Sequence, residues 1–176
     1  IIELSGFCIG CSEKSDLIDP TVISEGDLLV GYASDGPHAN GWSLLRRLLA
    51  YHGDVLDQSE IRDLLKPTRL YHDVVADLRA AEVKVNGYAH ITGGGLPENL
   101  ERLLGAELGA DVEIPAWNHV PMSKLLEYVD AEDKFHTFNM GIGWVAVVNP
   151  ADEAKALASG PGGRVIGQVR KGHGVK

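Results

Sequence analysis

Short apolar runs and amphipathic stretches alternate along the chain, separated by turns rich in glycine. Asp27-Leu28-Leu29-Val30-Gly31-Tyr32-Ala33 is an apolar run bounded by polar residues, the pattern of a buried strand. It gives way to Ser34-Asp35-Gly36-Pro37-His38-Ala39-Asn40-Gly41, a segment dense in turn formers. From Trp42 to Ala50 the apolar residues Leu44, Leu45, Leu48 and Leu49 recur at helical spacing, with Asn40 placed to cap that helix. A second amphipathic stretch, Tyr71 to Glu82, puts Val74, Val75, Leu78 and Ala81 on one face.

The same alternation continues to the end of the sequence. Tyr88 to Thr92 reads as a short strand that runs into Gly93-Gly94-Gly95. Leu96 to Leu104 then reads as a helix with Pro97 in its first turn, where a missing N–H costs little. Asp111 to Ile114 is expected as a strand, Val120 to Val129 as a helix, and Gly141 to Val148 as a strongly buried strand. Pro150 opens a helix to about Ala158, Gly160 to Gly163 makes a turn, and Arg164 to Arg170 closes with a strand. The pattern holds no internal repeat, low-complexity segment or interdomain linker, so it implies one layered α/β or α+β domain.

Composition narrows the classes without choosing among enzymes. At 176 residues, with 44% hydrophobic and 23% charged, the chain has enough apolar material for one core. No run approaches the roughly 18 to 20 apolar residues of a membrane span. Sixteen basic against 25 acidic residues give a formal charge of −9. Without a basic run to displace counterions, nucleic acid is an unsuitable partner. A phosphorylated metabolite remains suitable, because backbone N–H groups supply local positive potential that net charge does not report. Cys8 and Cys11 form a C-x-x-C, but a structural zinc site needs two more ligands and no second pair exists. Flanked by Gly6 and Gly10, they sit in what reads as the end of a strand, not before a helix as in a thioredoxin-type site. Two cysteines without a secretory signal favour a reducing cytosol, and a cytoplasmic protein is expected. The start, Ile1-Ile2-Glu3-Leu4, lacks an initiator methionine and reads as cut from a longer chain.

Chemistry concentrates in three places. Ser34–Gly41 and His90–Gly95 each follow a strand and precede a helix, so backbone N–H groups and a helix N-terminus can converge on an anion. Gly36 allows a positive φ, and His38 and Asn40 stand at the mouth of the first helix. Gly93, Gly94 and Gly95 allow close backbone approach to a ligand, with His90, Thr92 and Asn99 nearby. Neither segment is a Walker loop or a G-x-G-x-x-G fingerprint, and each is also readable as a plain tight turn with a cap. In the third segment, Thr137 to Val148, Gly141 and Gly143 suggest a bulge or the close approach of another backbone. Asn139, just before that strand, is either a structural hydrogen-bonder or a ligand contact. His52, His72, His119, His136 and His173 lack such a setting, and Glu3, Glu13, Asp16 and Asp19 read as a solvated face. No metal-ligating set is predicted.

Taken together, these segments resemble aminoimidazole ribonucleotide synthetase, also called phosphoribosylformylglycinamidine cyclo-ligase. The matching strings are Gly6-Phe7-Cys8-Ile9-Gly10, Glu13-Lys14-Ser15, Gly36-Pro37-His38-x-Asn40-Gly41, Leu65 to Tyr71, Ala89-His90-Ile91-Thr92-Gly93-Gly94-Gly95-Leu96-x-Glu98-Asn99 and Thr137 to Gly143. The resemblance covers the family's carboxy-terminal domain only. The family's amino-terminal domain, with its metal- and ATP-associated motifs, has no counterpart here. The resemblance implies an α+β fold, a mixed sheet flanked by helices and related in part to a ferredoxin-like arrangement, as one domain over residues 1–176.

It also implies the activity. With ATP and Mg2+, the family converts formylglycinamidine ribonucleotide to aminoimidazole ribonucleotide: ATP phosphorylates the formamide oxygen, nitrogen attacks that carbon, and phosphate leaves as the ring closes. The implied partners are formylglycinamidine ribonucleotide, ATP, the enzyme's amino-terminal domain and a second copy in a homodimer. Gly36, His38, Asn40, Gly41, His90, Thr92, Gly93, Gly94, Gly95, Asn99 and Asn139 are the expected substrate- or phosphate-binding residues, with His38 the candidate catalytic base. Two departures stand out: Asp35 and Ala39 replace serines of the family pattern, and a carboxylate beside an anion repels it unless turned away or paired. Two other readings compete. The chain is a ligand-binding or dimerising half that does not catalyse alone, or it is the equivalent domain of a formylglycinamidine ribonucleotide synthetase-like or selenophosphate synthetase-like enzyme. The H-I-T-G-G-G-L-x-E-N string argues against the last.

Overall fold

The computed structural model describes residues 5–114, 120–159 and 162–176. Six strands form one sheet: β1 (Leu28–Ala33), β2 (Val85–His90), β3 (Leu108–Val112), β4 (Ile142–Val148), β5 (Arg164–Lys171) and β6 (Gly174–Val175), in the spatial order β2-β4-β1-β5-β3-β6. Only β3 and β6 pair in parallel, so the sheet is mixed, as expected. Within it, β2-β4-β1-β5 is the order of a split β-α-β ferredoxin-like unit, which accounts for that part of the expectation. β4 lies antiparallel between β1 and β2, so β1 and β2 run the same way and end at the same edge of the sheet.

Alternation along the central strands divides the core. Leu29 and Val145 with Val147 face one side, where α4 (Gly95–Leu104) covers them with Leu96, Leu100 and Leu104. Val30, Tyr32, Ala146 and Val148 face the other side, beneath α3 (His72–Ala80) and α7 (Glu153–Ala158). A third cluster lies among helices alone. Leu45 and Leu48 of α1 (Trp42–His52) and Met122, Leu125 and Leu126 of α5 (Val120–Leu126) gather around Phe138. The short α2 (Gln58–Asp63) and α6 (Ala131–Thr137) flank this cluster. Burying the side chains of Leu45, Leu125 and Phe138, each fully inaccessible, contributes roughly 1.5–3 kcal/mol apiece.

Several boundaries differ from the sequence reading. The strand expected at Asp111–Ile114 is Leu108–Val112, because the ladder to β5 begins at Leu108 opposite Lys171. The helix expected from Pro150 divides into a single 3-10 turn, Pro150–Asp152, and then α7. No strand ends at the C-x-x-C: residues 5–13 form no regular element, and both thiols are free and exposed. The short helices α2 and α6 carry too few apolar residues to show a periodicity; α2 is instead marked by its cap, where Asp57 accepts from Ser59 N and Glu60 N. Glu13, Asp16 and Asp19 are exposed, as a solvated face requires. Glu3, His119, Gly160 and Pro161 lie outside the described residues. Among the described residues, no helix is long and apolar enough to cross a membrane.

Candidate ligand site at the strand ends

Because β1 and β2 end at one edge, the turns that follow them leave side by side, and one hydrogen bond joins them. Asn40 Nδ2 donates to the Ile91 carbonyl at 3.3 Å. Asn40 therefore does not cap α1 as expected. The N-cap is Gly41, in the left-handed region at φ 70°, and no side chain caps the helix. α4 opens the same way, from Gly94 at φ 90° with no side-chain cap. The first-turn N–H groups of both helices are thus free of a competing side-chain acceptor at the cap.

Both helix starts press on one segment. A Cβ on Gly41 would overlap the Phe138 ring, and one on Gly95 would overlap the Phe135 carbonyl. Close packing against residues 135–138 is therefore what these two glycines permit. Gly93 differs. A Cβ there would meet nothing within 4 Å, and its φ is not in the left-handed region, so only open space lies beside it. The amides of Gly93 and Gly94 have no acceptor among the described residues. This makes an open run of backbone donors of the kind that holds anions.

The third glycine segment closes the same edge. Ser34 N donates to Gly141 O at 2.9 Å, and Asn139 bridges the first and third segments. Fully buried, Asn139 donates from Nδ2 to Gly36 O and accepts at Oδ1 from Ser34 Oγ and Gly141 N. Of the two roles left open for it, these bonds give the structural one. Asn99 holds the second turn in the same manner: Nδ2 donates to the carbonyls of Thr92, Gly93 and Gly95, while Oδ1 accepts from Thr92 Oγ1. Gly143 is skipped by the pairing of β1, where Tyr32 faces Trp144 and Ala33 faces Ile142, so a bulge sits there as anticipated. What approaches it closely is a pair of side chains, Tyr71 and His38, not another backbone.

His38 is the most constrained member of the group. It adopts φ 55°, uncommon for a residue with a Cβ, and is 5% exposed. Its Nε2 accepts from Asp35 N at 3.2 Å and from Arg69 N at 3.4 Å, so the ring proton belongs on Nδ1. That buried Nδ1 has no partner. Burial pushes the imidazole pKa down, with the neighbouring His90 adding to the effect, so the ring is held neutral. A ring whose basic nitrogen already accepts two backbone N–H groups is poorly placed as a general base in this conformation. It is a donor through Nδ1. Asp35 is exposed and forms no ion pair among the described residues, so the departure at that position turns toward solvent.

Side chains with no role assigned from the sequence complete the neighbourhood. Tyr71 Oη and Arg69 Nη1 both donate to the Ala33 carbonyl, at 2.9 and 3.0 Å, and the Arg69 guanidinium lies over the Tyr71 ring. Burial raises the Tyr71 pKa well above its usual range, so the hydroxyl stays a donor. Tyr71 stacks on Trp144 at 5.5 Å, and His90 lies 6.1 Å from Tyr71 and 5.8 Å from Trp144. Tyr32, Trp144 and His90 sit opposite one another on three neighbouring strands. The available signal was the string Arg69-x-Tyr71, which ends in an aromatic residue directly before a helix. Trp144 looked like an ordinary core position, because its neighbours in β4 are all apolar. By contrast His52 stacks on Tyr128, and His72, His136 and His173 are exposed.

Comparison with known proteins agrees with the motif strings. The family model described as AIR synthase related protein, C-terminal domain, matches residues 24–176. A phosphoribosylformylglycinamidine cyclo-ligase of Synechococcus sp. (strain CC9902) is 43% identical over 166 residues, 88% of this chain and 48% of the relative. One from Streptococcus agalactiae serotype V is 43% identical over 170 residues, 90% of this chain and 50% of the relative. One from Methylobacillus flagellatus is 40% identical over 180 residues, 96% of this chain and 52% of the relative. The chain thus spans about half the length of these relatives. The fold is similar to the crystal structure of tt0281 from Thermus thermophilus, with a TM-score of 0.53 at 24% identity, covering 86% of this chain and 49% of that one. With nearly the whole chain matched, this protein belongs to the AIR synthase related family as its C-terminal domain.

Proposed function

We propose that this chain supplies the carboxy-terminal half of a phosphoribosylformylglycinamidine cyclo-ligase, catalysing ATP-dependent closure of formylglycinamidine ribonucleotide to aminoimidazole ribonucleotide. One observation carries the reading: the turns after β1 and β2, tied by Asn40 and Ile91, place two uncapped helix starts side by side. Ring closure needs such a place. The formamide oxygen takes a phosphoryl group from ATP, the amidine-side nitrogen attacks the activated carbon, and phosphate departs. Negative charge on transferring and leaving oxygens is the load, and fixed backbone donors in a partly dry site carry it without reorganising.

The residues divide the work. The Gly93 and Gly94 amides and the first-turn amides of α1 face anionic oxygens. The neutral His38 braces the first turn, its Nε2 accepting from Asp35 N and Arg69 N. Asn40, Asn99 and Asn139 hold the three turns in place. Magnesium, bound with the nucleotide, would screen charge on the phosphates. No three acidic, imidazole or thiol side chains gather among the described residues, and no part in holding the magnesium is assigned to them. The amino-terminal half, a homodimeric state and a cytoplasmic setting belong to the same proposal.

The test is to make this chain and an amino-terminal half separately and measure substrate-dependent ADP release, alone and mixed. Activity is expected only in the mixture. Activity of this chain alone would contradict the division of labour, and an inactive mixture of two folded halves would contradict the function.

A further inference from the structure

At the outer edge of β2, beyond the two turns, a cavity of about 450 Å³ opens between the strand and α4. Tyr88 and His90 of β2, Thr92 of the turn, and Asn99, Arg102 and Leu103 of α4 line it. In a chain of charge −9, this lining contains no carboxylate and one guanidinium. Arg102 forms no ion pair among the described residues, although Glu98 lies one helical turn before it; Glu98 instead approaches His136 at 3.9 Å. The guanidinium is not loose. Its Nη1 reaches Asn99 Oδ1 at 3.5 Å, the same oxygen that accepts from Thr92 Oγ1. Its remaining N–H groups have no partner among the described residues.

We propose that this cavity is a binding site for a phosphate monoester, and that Arg102 is its anchoring residue. The chemistry follows from the donors. A planar guanidinium with free N–H groups pairs with two phosphate oxygens at once, which a lysine ammonium does not reproduce. Volume suits a sugar phosphate, since cavities of roughly 300–1,000 Å³ take small metabolites. Leu103 offers an apolar wall for the sugar, and Thr92 offers a hydroxyl. Arg102 is also coupled to the turn. Asn99 links its guanidinium to the carbonyls of Thr92, Gly93 and Gly95, so an anion drawn to Arg102 sits against the turn proposed above for phosphoryl transfer. The identity of the ligand as the ribose 5-phosphate end of the substrate rests on the cyclo-ligase reading.

Calorimetric titration of the chain with ribose 5-phosphate at low salt tests the site, with ATP as a second ligand. Arg102→Ala is expected to weaken ribose 5-phosphate binding about tenfold or more, and Arg102→Lys to restore only part of the loss. Arg46→Ala, which removes an exposed cation elsewhere, is expected to leave it unchanged. Equal affinity in wild type and Arg102→Ala, or no binding by the wild type, overturns the proposal. ATP binding that depends on Arg102 as strongly as the sugar phosphate does overturns the monoester assignment. Ring closure sustained by the mixed halves while Arg102→Ala binds ribose 5-phosphate normally would sink this site alone. Sugar-phosphate binding without any ring closure would sink the cyclo-ligase reading alone.

Discussion

Asn40 and Ile91 are 51 positions apart, and the 3.3 Å hydrogen bond between the Asn40 amide and the Ile91 carbonyl sets two ligand-facing turns in one register. Removing it leaves a buried carbonyl unpaired, at about 1–3 kcal/mol. Asn40→Ala is therefore expected to lower stability by that amount in urea unfolding and to broaden the amide resonances of residues 91–94. A variant as stable as the wild type would show that the bond does not hold the turns.

Asn139 is more heavily used, with three bonds to two segments and no exposure. Asn139→Ala strands Ser34 Oγ, Gly36 O and Gly141 N together. A loss of about 2–4 kcal/mol is expected in denaturant unfolding. Asn139→Asp keeps the acceptor and loses the donor to Gly36, so it is expected to recover part of that loss only.

Glycine substitutions separate packing from ligand approach. Gly95→Ala forces a Cβ onto the Phe135 carbonyl at φ 62°, and Gly94→Val places a branched side chain at φ 90° against Glu98, so both are expected to destabilise the domain. Gly93→Ala meets nothing. It is expected to melt within about 0.5 kcal/mol of wild type yet to weaken ligand binding, measured by thermal shift with and without ribose 5-phosphate. Unchanged binding in Gly93→Ala would remove the turn from the site.

His38 gives a pH signature. Its folded pKa is pushed below the ordinary value of about 6.5 by burial, so the unfolded chain takes up the proton first as pH falls. The contribution of His38 to stability is complete above about pH 6.5 and is lost as pH drops below it toward the folded pKa. His38→Asn tolerates the left-handed backbone and is expected to flatten the slope of stability below about pH 6.5. An unaltered slope would show that another group titrates there.

Much of this arrangement was legible in the residues, and the exceptions have physical causes. The central strands and α1, α3 and α4 announced themselves because each buries one continuous apolar face. The turn segments were legible as glycine clusters next to strands. Their convergence was not, since it depends on β4 inserting between β1 and β2, a long-range pairing that no local pattern encodes. The same limit explains the asparagines. A sequence shows an amide near a glycine turn but not whether its hydrogen bonds go to a ligand or to the chain, and Asn40, Asn99 and Asn139 all spend theirs on the chain. Arg102 escaped notice because an arginine late in an amphipathic helix is normally just part of the solvated face.

The central claim is that the turns after β1 and β2 form a single ligand mouth. Titrating isotopically labelled chain with formylglycinamidine ribonucleotide and following the backbone amides tests it most directly. The account predicts that Gly36, His38 and Gly41 shift together with Gly93 and Gly94, all at one midpoint. Shifts confined to one turn, or two turns responding at different midpoints, would contradict it.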